Sequence, residues 1–142
     1  MCVDILLVED NHDDAELAMR VLRQDNPGVN VLHLTDGAEA LNYFFAASGA
    51  RDARKLPKVI FLDIKLPKLT GPEVLKRLKT DEVTRNVPVV VMTSSGQQRD
   101  VNECYELGAN SYLVKPIDFK KYKAMLVASS RYWLHYNLTI PH

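Results

Sequence analysis

The sequence has few of the features that mark disulfide-rich, zinc-binding or membrane proteins. Only two of its 142 residues are cysteine, Cys2 and Cys104, and they form no CxxC motif. This excludes a disulfide framework, gives no sign of a zinc site, and predicts free thiols in a reducing compartment. The longest apolar runs have four or five residues, whereas a membrane-spanning helix needs about 20. The residues after Met1 also lack the basic region and cleavage site of a signal peptide. These absences predict a cytoplasmic protein.

The chain also lacks an excess of either charge, because 18 Lys and Arg balance 18 Asp and Glu. Nucleic-acid binding through phosphate neutralisation needs a surplus of basic side chains on one face, so this class of function is not predicted. With 46% hydrophobic and 25% charged residues, the composition is typical of a globular domain. The length allows one hydrophobic core and a short appendage.

Five short apolar runs are spaced along the chain, at residues 5–8, 29–34, 59–62, 87–92 and 112–114. Apolar runs without alternation are typical of parallel strands that are buried on both faces. The segments between them have helical spacing; Asp13 or Asp14 is predicted to cap the first helix, Gly108 to follow the fourth and Asp118 to begin the fifth. Alternating strands and helices predict an α/β fold with a doubly wound, five-stranded parallel sheet.

Acidic side chains follow two of the predicted strands. Glu9 and Asp10 come directly after the first strand, and Asp63 comes after the third. These strands are neighbours in the flavodoxin-like order, and ligands bind at the carboxyl ends of such strands. Three adjacent carboxylates raise one another's pKa unless a cation compensates, and Mg²⁺ binds carboxylates together with waters and phosphate oxygens. The sequence therefore predicts a Mg²⁺ site.

A hydroxyl and an ammonium group follow the last two strands, at Thr93 and Lys115. Taken alone, Thr93 could cap a helix and Lys115 could be an ordinary surface cation. Together with the acids, they suit phosphoryl transfer onto Asp63, with Mg²⁺ on Asp10 and Asp63 and the remaining phosphoryl oxygens neutralised by Thr93 and Lys115.

Four motifs carry a resemblance to a known family. They are LLVEDN at residues 6–11, FLDIKLP at 61–67 with Gly71 after it, VMTS at 91–94, and GANSYLVKP at 108–116. In this order, and over residues 5 to about 126, they resemble the receiver domain of two-component response regulators.

The resemblance implies a role for each motif residue. Asp63 is the expected phosphoacceptor, assisted by Lys115 and Thr93, and the Mg²⁺ ligands are Glu9, Asp10, Asp63 and the backbone carbonyl of Lys65. Thr93 and Tyr112 are the expected switch pair, and the Lys115–Pro116 bond is expected to be cis. The implied function is to accept a phosphoryl group from a histidine kinase and to change protein contacts on the face formed by the fourth helix, fifth strand and fifth helix. Such a protein is not an enzyme, because it assists only its own phosphorylation and dephosphorylation.

Three positions depart from the commonest form of the family. Thr70 stands where Asp is usual, at a peripheral position. Lys65 and Ser95 each lie two residues after a motif residue, where side chains of this family tune how water reaches the phosphoryl group. The departures therefore concern the lifetime of the phosphoryl group and leave the site itself as predicted.

The chain continues past residue 130, where receivers usually end, so we divide it into a receiver domain at 1–130 and an aromatic extension at 131–142. Phe119, Tyr122 and Leu126 are predicted to pack on the sheet. Exposed aromatic patches are typical of interfaces, so we expect a homodimer through the last helix and the extension. The expected interface residues are Tyr122, Tyr132, Trp133 and Tyr136, with Leu138 and Ile140 following them. The extension and a basic loop at 46–58 are similar to single-domain response regulators of bacterial phytochrome kinases.

Three other functions compete with this interpretation. An aspartate-nucleophile phosphohydrolase needs a second Asp where this chain has Lys65. A flavodoxin-like cofactor binder needs a phosphate-binding loop after Val8, where this chain instead has acids that would repel the phosphate. A receiver-like interaction module that acts without phosphorylation is the third alternative, and the complete set of acids, Thr93 and Lys115 argues against it.

Overall fold

The computed structural model describes residues 2–46 and 56–139. Its centre is a five-stranded parallel sheet with the strand order β2-β1-β3-β4-β5. The strands are β1 (Ile5–Val8), β2 (Val31–Leu34), β3 (Val59–Leu62), β4 (Val89–Thr93) and β5 (Ser111–Val114). Each predicted strand is confirmed, with ends that differ by at most two residues from the predicted ones.

Five helices connect and follow the strands. They are α1 (His12–Asp25), α2 (Gly37–Phe45), α3 (Gly71–Lys79), α4 (Gln98–Glu106) and α5 (Phe119–Arg131). A short 3₁₀ turn (Thr84–Asn86) precedes β4, and a π-helical turn (Tyr132–Tyr136) continues α5. The predicted flavodoxin-like α/β fold is confirmed. Among the described residues, no helix combines the length and the apolar character that crossing a membrane requires.

The two faces of the sheet bury separate hydrophobic cores. In β1, Ile5 and Leu7 pack with α1 and α5, whereas Leu6 and Val8 pack with α2, α3 and α4. Because both faces are covered, all four residues of β1 are buried, as are all four of β3. This double burial explains why the strands appear in the sequence as continuous apolar runs.

Helix caps set where the elements next to the site begin. Asn11 caps α1 by accepting a hydrogen bond from the Asp14 amide at 3.0 Å, so the predicted cap at Asp13 or Asp14 is wrong by two or three positions. Both acids lie instead in the first turn, where the helix dipole favours negative charge. The predicted cap at Asp118 is confirmed by its hydrogen bond from the Lys121 amide at 3.1 Å.

The remaining local predictions have mixed outcomes. Gly108 follows α4 with a φ of 103°, as predicted for the residue after a helix. Thr70 forms a capping box with Glu73 at the start of α3, so this departure from the family pattern has a structural role. The described residues contain no cis peptide bond, so the expected cis bond before Pro116 is wrong. An X–Pro bond favours trans by about 0.5–1 kcal/mol, and nothing in the local sequence alone overrides that preference.

The end of α5 and the following turn pack against α1. The Arg131 guanidinium donates two hydrogen bonds to Asp25, at 2.6 and 3.0 Å. His135 Nε2 lies 3.1 Å from Asn26 Oδ1, and Asn26 also donates to Ser130. The first part of the predicted extension is therefore continuous with the receiver core.

The packing of α5 separates the aromatic residues that were predicted to share one interface. Tyr122 is 6% exposed and belongs to the core beneath α1 and α5, and Trp133 packs against the same core. Both side chains therefore pack within their own chain. Tyr132 and Tyr136 remain outside, 50% and 75% exposed, and the predicted packing of Phe119 is wrong since it is 51% exposed.

Two sequence features fall partly outside the described residues. Positions 47–55 of the basic loop and positions 140–142 of the extension lie outside the described residues. The predictions that rest on these positions stay predictions.

Candidate functional site

The residues that follow β1, β3, β4 and β5 lie at one edge of the sheet. Three backbone hydrogen bonds extend the ladder beyond the strands: Glu9 N to Leu34 O, Asp63 N to Val8 O, and Lys115 N to Thr93 O, at 3.0, 3.1 and 2.7 Å. These bonds hold the residues after β1, β3 and β5 in sheet register. The predicted convergence of acids and lysine at this edge follows from them.

Glu9, Asp10 and Asp63 form the acidic part of the site. Each offers a carboxylate oxygen, and these oxygens all lie within 4.8 Å of one another. Glu9 and Asp63 are buried, and Asp10 is exposed at the opening. The backbone N–H of Lys65 donates to Asp63 Oδ1 at 3.1 Å and so orients the Asp63 carboxylate.

Lys115 joins the acids from β5. Its Nζ donates to both carboxylate oxygens of Glu9 at 3.0 and 3.1 Å and lies 3.4 Å from Asp63 Oδ2. It also lies 3.6 Å from Asp14, an acid that sequence reasoning had assigned to a helix cap. The run of acids between Glu9 and Asp14 was the available signal, because it places Asp14 in the first turn of α1, directly after the site residues.

Burial and the excess of negative charge in the site shift the pKa values of Glu9 and Lys115. Burial raises the pKa of Glu9, the neighbouring Asp63 carboxylate raises it further, and the result is about 8 despite the opposing effect of Lys115. Burial by itself lowers the pKa of Lys115, but the facing Glu9 and Asp63 carboxylates outweigh it and hold that pKa above its ordinary value. The raised pKa of Glu9 shows that the site favours a further positive charge, either a proton or a metal cation.

The donor set fits a hard divalent cation. Carboxylates within this distance of one another, with one member open to solvent, match the preference of Mg²⁺ for a few carboxylates and several waters. The cleft above them has a volume of about 480 Å³ and is lined also by Asn11, Lys65 and Ser94. It is large enough for a cation, its waters and a phosphoryl group.

Thr93 and Tyr112, the predicted switch pair, lie beside this cleft without lining it. Thr93 is fully buried, and its hydroxyl accepts a hydrogen bond from the Ser95 N–H at 3.4 Å. Tyr112 is partly buried, and its hydroxyl donates to the Ser95 carbonyl at 2.8 Å. The two side chains are thus joined through the backbone of one residue, which the sequence did not reveal.

The tight approach of α3 to the site explains the glycine that follows FLDIKLP. The Gly71 N–H donates to Ile64 O at 3.0 Å. A Cβ atom on Gly71 would lie 2.4 Å from both the Asp63 carbonyl oxygen and Ile64 Cα. Only glycine allows this helix to begin against the backbone of Asp63 and Ile64.

Comparison with known proteins agrees with this geometry. The family model of the response regulator receiver domain matches residues 5–127. The chain is 40% identical to the probable methanogenesis regulatory protein FilR2 of Methanothrix harundinacea, over 94% of this chain and 84% of the relative. It is 36% identical to response regulator Rcp1 of Synechocystis, over 96% of this chain and 92% of the relative.

Solved structures give the same result. The phosphorylated cyanobacterial phytochrome response regulator RcpA has a TM-score of 0.85 at 30% identity, covering 98% of this chain and 99% of RcpA. The Mn²⁺-bound form of Rcp1 also has a TM-score of 0.85, at 32% identity, with 97% and 99% covered. With the predicted fold and acidic site both in place, the chain belongs to the response regulator receiver domain family.

Proposed function

We propose that this chain is a phosphoacceptor of a two-component system and takes a phosphoryl group on Asp63. The observation that carries the proposal is the position of the Asp63 carboxylate, which lies in the cleft between Asp10, Glu9 and the Lys115 ammonium. A carboxylate held beside a cation and open to a cleft of this size can act as a nucleophile toward phosphorus.

The chemical step is a transfer between nitrogen and oxygen. An Asp63 carboxylate oxygen forms a bond to phosphorus while the bond from phosphorus to the donor histidine nitrogen breaks. The electron pair of that bond stays on the imidazole, and the product is an acyl phosphate. Lys115 compensates the charge on the phosphoryl oxygens, and the Lys65 N–H keeps the nucleophile oriented.

Glu9, Asp10 and Asp63 would hold Mg²⁺, with the Lys65 carbonyl as a further ligand. When bound, the cation would neutralise part of the negative charge on the phosphoryl oxygens. The two Glu9 oxygens already accept hydrogen bonds from Lys115, but each retains a lone pair for a cation or its waters. The proposal is supported by the Mn²⁺-bound form of Rcp1 and by the carboxylate spacing of this chain.

The chain serves as a substrate of its kinase and is not itself an enzyme in this proposal. A phosphohydrolase with Asp63 as nucleophile would need an acid/base carboxylate two residues later, and Lys65 stands there. A receiver module that acts without phosphorylation would have no use for the site, which argues against that alternative. Since sensor kinases use cytoplasmic ATP, the proposed function also requires a cytoplasmic location.

Phosphorylation would act on protein contacts through Thr93 and Tyr112. A phosphoryl group brings up to about two negative charges and strong acceptor oxygens, and the Thr93 hydroxyl would be drawn toward them. The Tyr112 ring would then move into the space that Thr93 leaves. These movements would change the face formed by α4, β5 and α5, where Tyr105 and Val114 are already 49% and 45% exposed.

The partner that supplies the phosphoryl group is proposed to be a phytochrome-type sensor histidine kinase. The resemblance to Rcp1 and RcpA supports this partner, since RcpA is a phytochrome response regulator. The name of FilR2 refers to methanogenesis. The partner kinase must therefore be identified by measuring phosphotransfer. Purified kinases of the host, phytochrome-type and other, should be compared for transfer to this chain; a faster transfer from a non-phytochrome kinase would reject this partner.

We also propose a homodimer through the outer side of the C-terminal turn. Tyr132, Tyr136 and Leu138 are 50%, 75% and 94% exposed and lie within seven residues of one another. Replacing Tyr132 and Tyr136 by Glu should convert the dimer to a monomer in sedimentation velocity, whereas Tyr105→Glu, at a similarly exposed tyrosine on α4, should not. A wild-type chain that sediments as a monomer with and without phosphorylation would reject the dimer.

Acyl-phosphate labelling tests the central proposal. Incubation with acetyl phosphate and Mg²⁺ should label the wild-type chain at one site, and Asp63→Asn should abolish the label. Asp13→Asn, which also removes an acid near the site but at an exposed position of α1, is the matched control and should keep it. Full labelling of Asp63→Asn would reject Asp63 as the phosphoacceptor.

A further inference from the structure

Ser95 lies between the phosphoacceptor site and α4, and all three of its polar groups are bonded. Its N–H donates to Thr93 Oγ1 at 3.4 Å, and its carbonyl accepts from the Tyr112 hydroxyl at 2.8 Å. Its own hydroxyl donates to Asp100 Oδ2 at 2.5 Å. Ser95 is 8% exposed, so the water that could replace these partners has little access.

The bond to Asp100 is the one that involves a charge. A hydroxyl that donates to a carboxylate at this distance forms a charge-assisted hydrogen bond, which is stronger than a bond between neutral groups. The contacts of Ser95 with Thr93 and Tyr112 are neutral, and the one with Thr93 is long. Asp100 therefore contributes most to keeping Ser95 where it is.

The start of α4 depends on the same bond. Its N-cap residue, Gln97, makes no side-chain capping hydrogen bond. The Gln97 N–H instead reaches Ser95 Oγ at 3.4 Å, and Asp100 lies in the first turn of the helix. The Ser95 hydroxyl thus joins the loop after β4 to the first turn of α4.

The Ser95 N–H donates to the Thr93 hydroxyl oxygen, so a rotation of the Thr93 side chain toward a phosphoryl group would disturb this bond. β4 is paired with β3, so Thr93 lies beside the strand that ends before Asp63. A change at Thr93 therefore releases or displaces Ser95, and the bond from Ser95 to Asp100 opposes that displacement.

We propose that Asp100 is a positioning residue that acts through Ser95 to hold the loop after β4 in its unphosphorylated arrangement. It thereby slows the gain of a phosphoryl group by Asp63. The proposal rests on the proposed function of Asp63 and adds to it an acid that does not line the cleft.

Labelling rates with acetyl phosphate and Mg²⁺ test this role. Asp100→Ala should be labelled about tenfold faster than wild type, the factor expected for losing roughly one charge-assisted hydrogen bond from one of two states. Glu103→Ala removes an equal charge one turn further along α4. Glu103 is exposed and does not line the cleft, so solvent and salt screen its charge and the rate should stay within about twofold of wild type. Equal rates for Asp100→Ala and wild type would overturn the proposal.

A double-mutant cycle separates the hydrogen bond from the charge. If Asp100 acts through Ser95, Ser95→Ala should remove the effect, so that Ser95→Ala and Ser95→Ala/Asp100→Ala are labelled at the same rate. A tenfold effect of Asp100→Ala that persists without the Ser95 hydroxyl would mean that Asp100 acts by charge alone, which overturns the proposed role.

Amide hydrogen exchange on the unphosphorylated chain gives a readout that does not need labelling. Asp100→Ala should speed exchange at the Ser95 and Gln97 amides, while the β3 amides stay at the wild-type rate because the fold is intact. If wild type takes no label, the function proposed for Asp63 fails and exchange alone decides the role of Asp100. Unchanged exchange at Ser95 and Gln97 would then overturn it.

Discussion

Replacing Gly71 by Ala should damage both stability and phosphorylation, because the structure leaves no room for a methyl group there. The added Cβ would lie 2.4 Å from Asp63 O and from Ile64 Cα, and 3.0 Å from Asp63 C. These are backbone atoms of the loop after β3, so no flexible side chain can move aside. An ordinary contact needs about 3.4–4 Å, and the loop or the start of α3 must therefore shift by roughly 1 Å.

The size of the effect follows from opposing contributions. Overpacking of this kind costs about 1–3 kcal/mol, and a shift that breaks the bond from Gly71 N to Ile64 O adds roughly 1 kcal/mol. Alanine also lowers the conformational entropy of the unfolded chain, which stabilises the folded state by about 0.4–1 kcal/mol and offsets part of this loss. We expect a net loss of roughly 2–3 kcal/mol, and since Asp63 moves with the loop, a labelling rate lower by about 100-fold.

Gly96→Ala is the matched control for this variant. Its Cβ would meet Val114 Cγ2 at 3.7 Å, an ordinary contact, and its backbone is outside the left-handed region. We expect its stability to equal or slightly exceed that of wild type.

Urea unfolding followed by the fluorescence of Trp133, the chain's one tryptophan, measures stability, and acetyl-phosphate labelling measures the site. If Gly71→Ala is as stable as Gly96→Ala and is labelled as fast as wild type, that result refutes this reasoning.

Two further predictions concern pH. Burial lowers the pKa of Lys79, whose Nζ donates to Arg85 O, Val87 O and Asn110 Oδ1, to about 8. Because the unfolded chain then binds the proton more tightly, the free energy of unfolding should rise between about pH 8 and 10.5; Lys79→Met should lose this part of the slope, and parallel curves would contradict it. The pKa of Glu9 is raised in the folded chain, to about 8, so its effect on the pH dependence of stability is opposite to that of Lys79. Its contribution to metal-free stability is complete below about pH 4.5 and is lost as pH rises through about 8. Mg²⁺ binding at pH 7 should therefore release close to one proton, measurable by calorimetry in buffers of different ionisation enthalpy, and should release almost none in Glu9→Gln; equal release by both would contradict the assignment.

Local sequence was sufficient for the strands and for the residues at the site. The three central strands, β1, β3 and β4, are buried on both faces, so hydrophobicity alone marks them. Parallel strands place their carboxyl ends at one edge, which brings together Asp10, Asp63 and Lys115 without knowledge of their side-chain angles. The family motifs then named the same residues.

Local sequence could not decide between neighbouring residues of similar chemistry. Asn11, Asp13 and Asp14 are all good helix caps, and the position at which the chain leaves β1 selected Asn11. The same limit applies to Phe119 and Tyr122. Both fit a helical stripe, but only Tyr122 belongs to the core, whereas Phe119, the first residue of α5, is half exposed.

The sequence by itself determined the α/β fold, the strand-end acids with their lysine, and membership of the receiver family, because these depend on burial patterns and on chain order. Only the tertiary structure decided the pKa of Glu9, the inward packing of Trp133, and the connection of Thr93, Tyr112 and Asp100 through Ser95. Each of these depends on distances between groups from different elements. Such distances are set by how helices pack on the sheet, and no spacing along the chain records them.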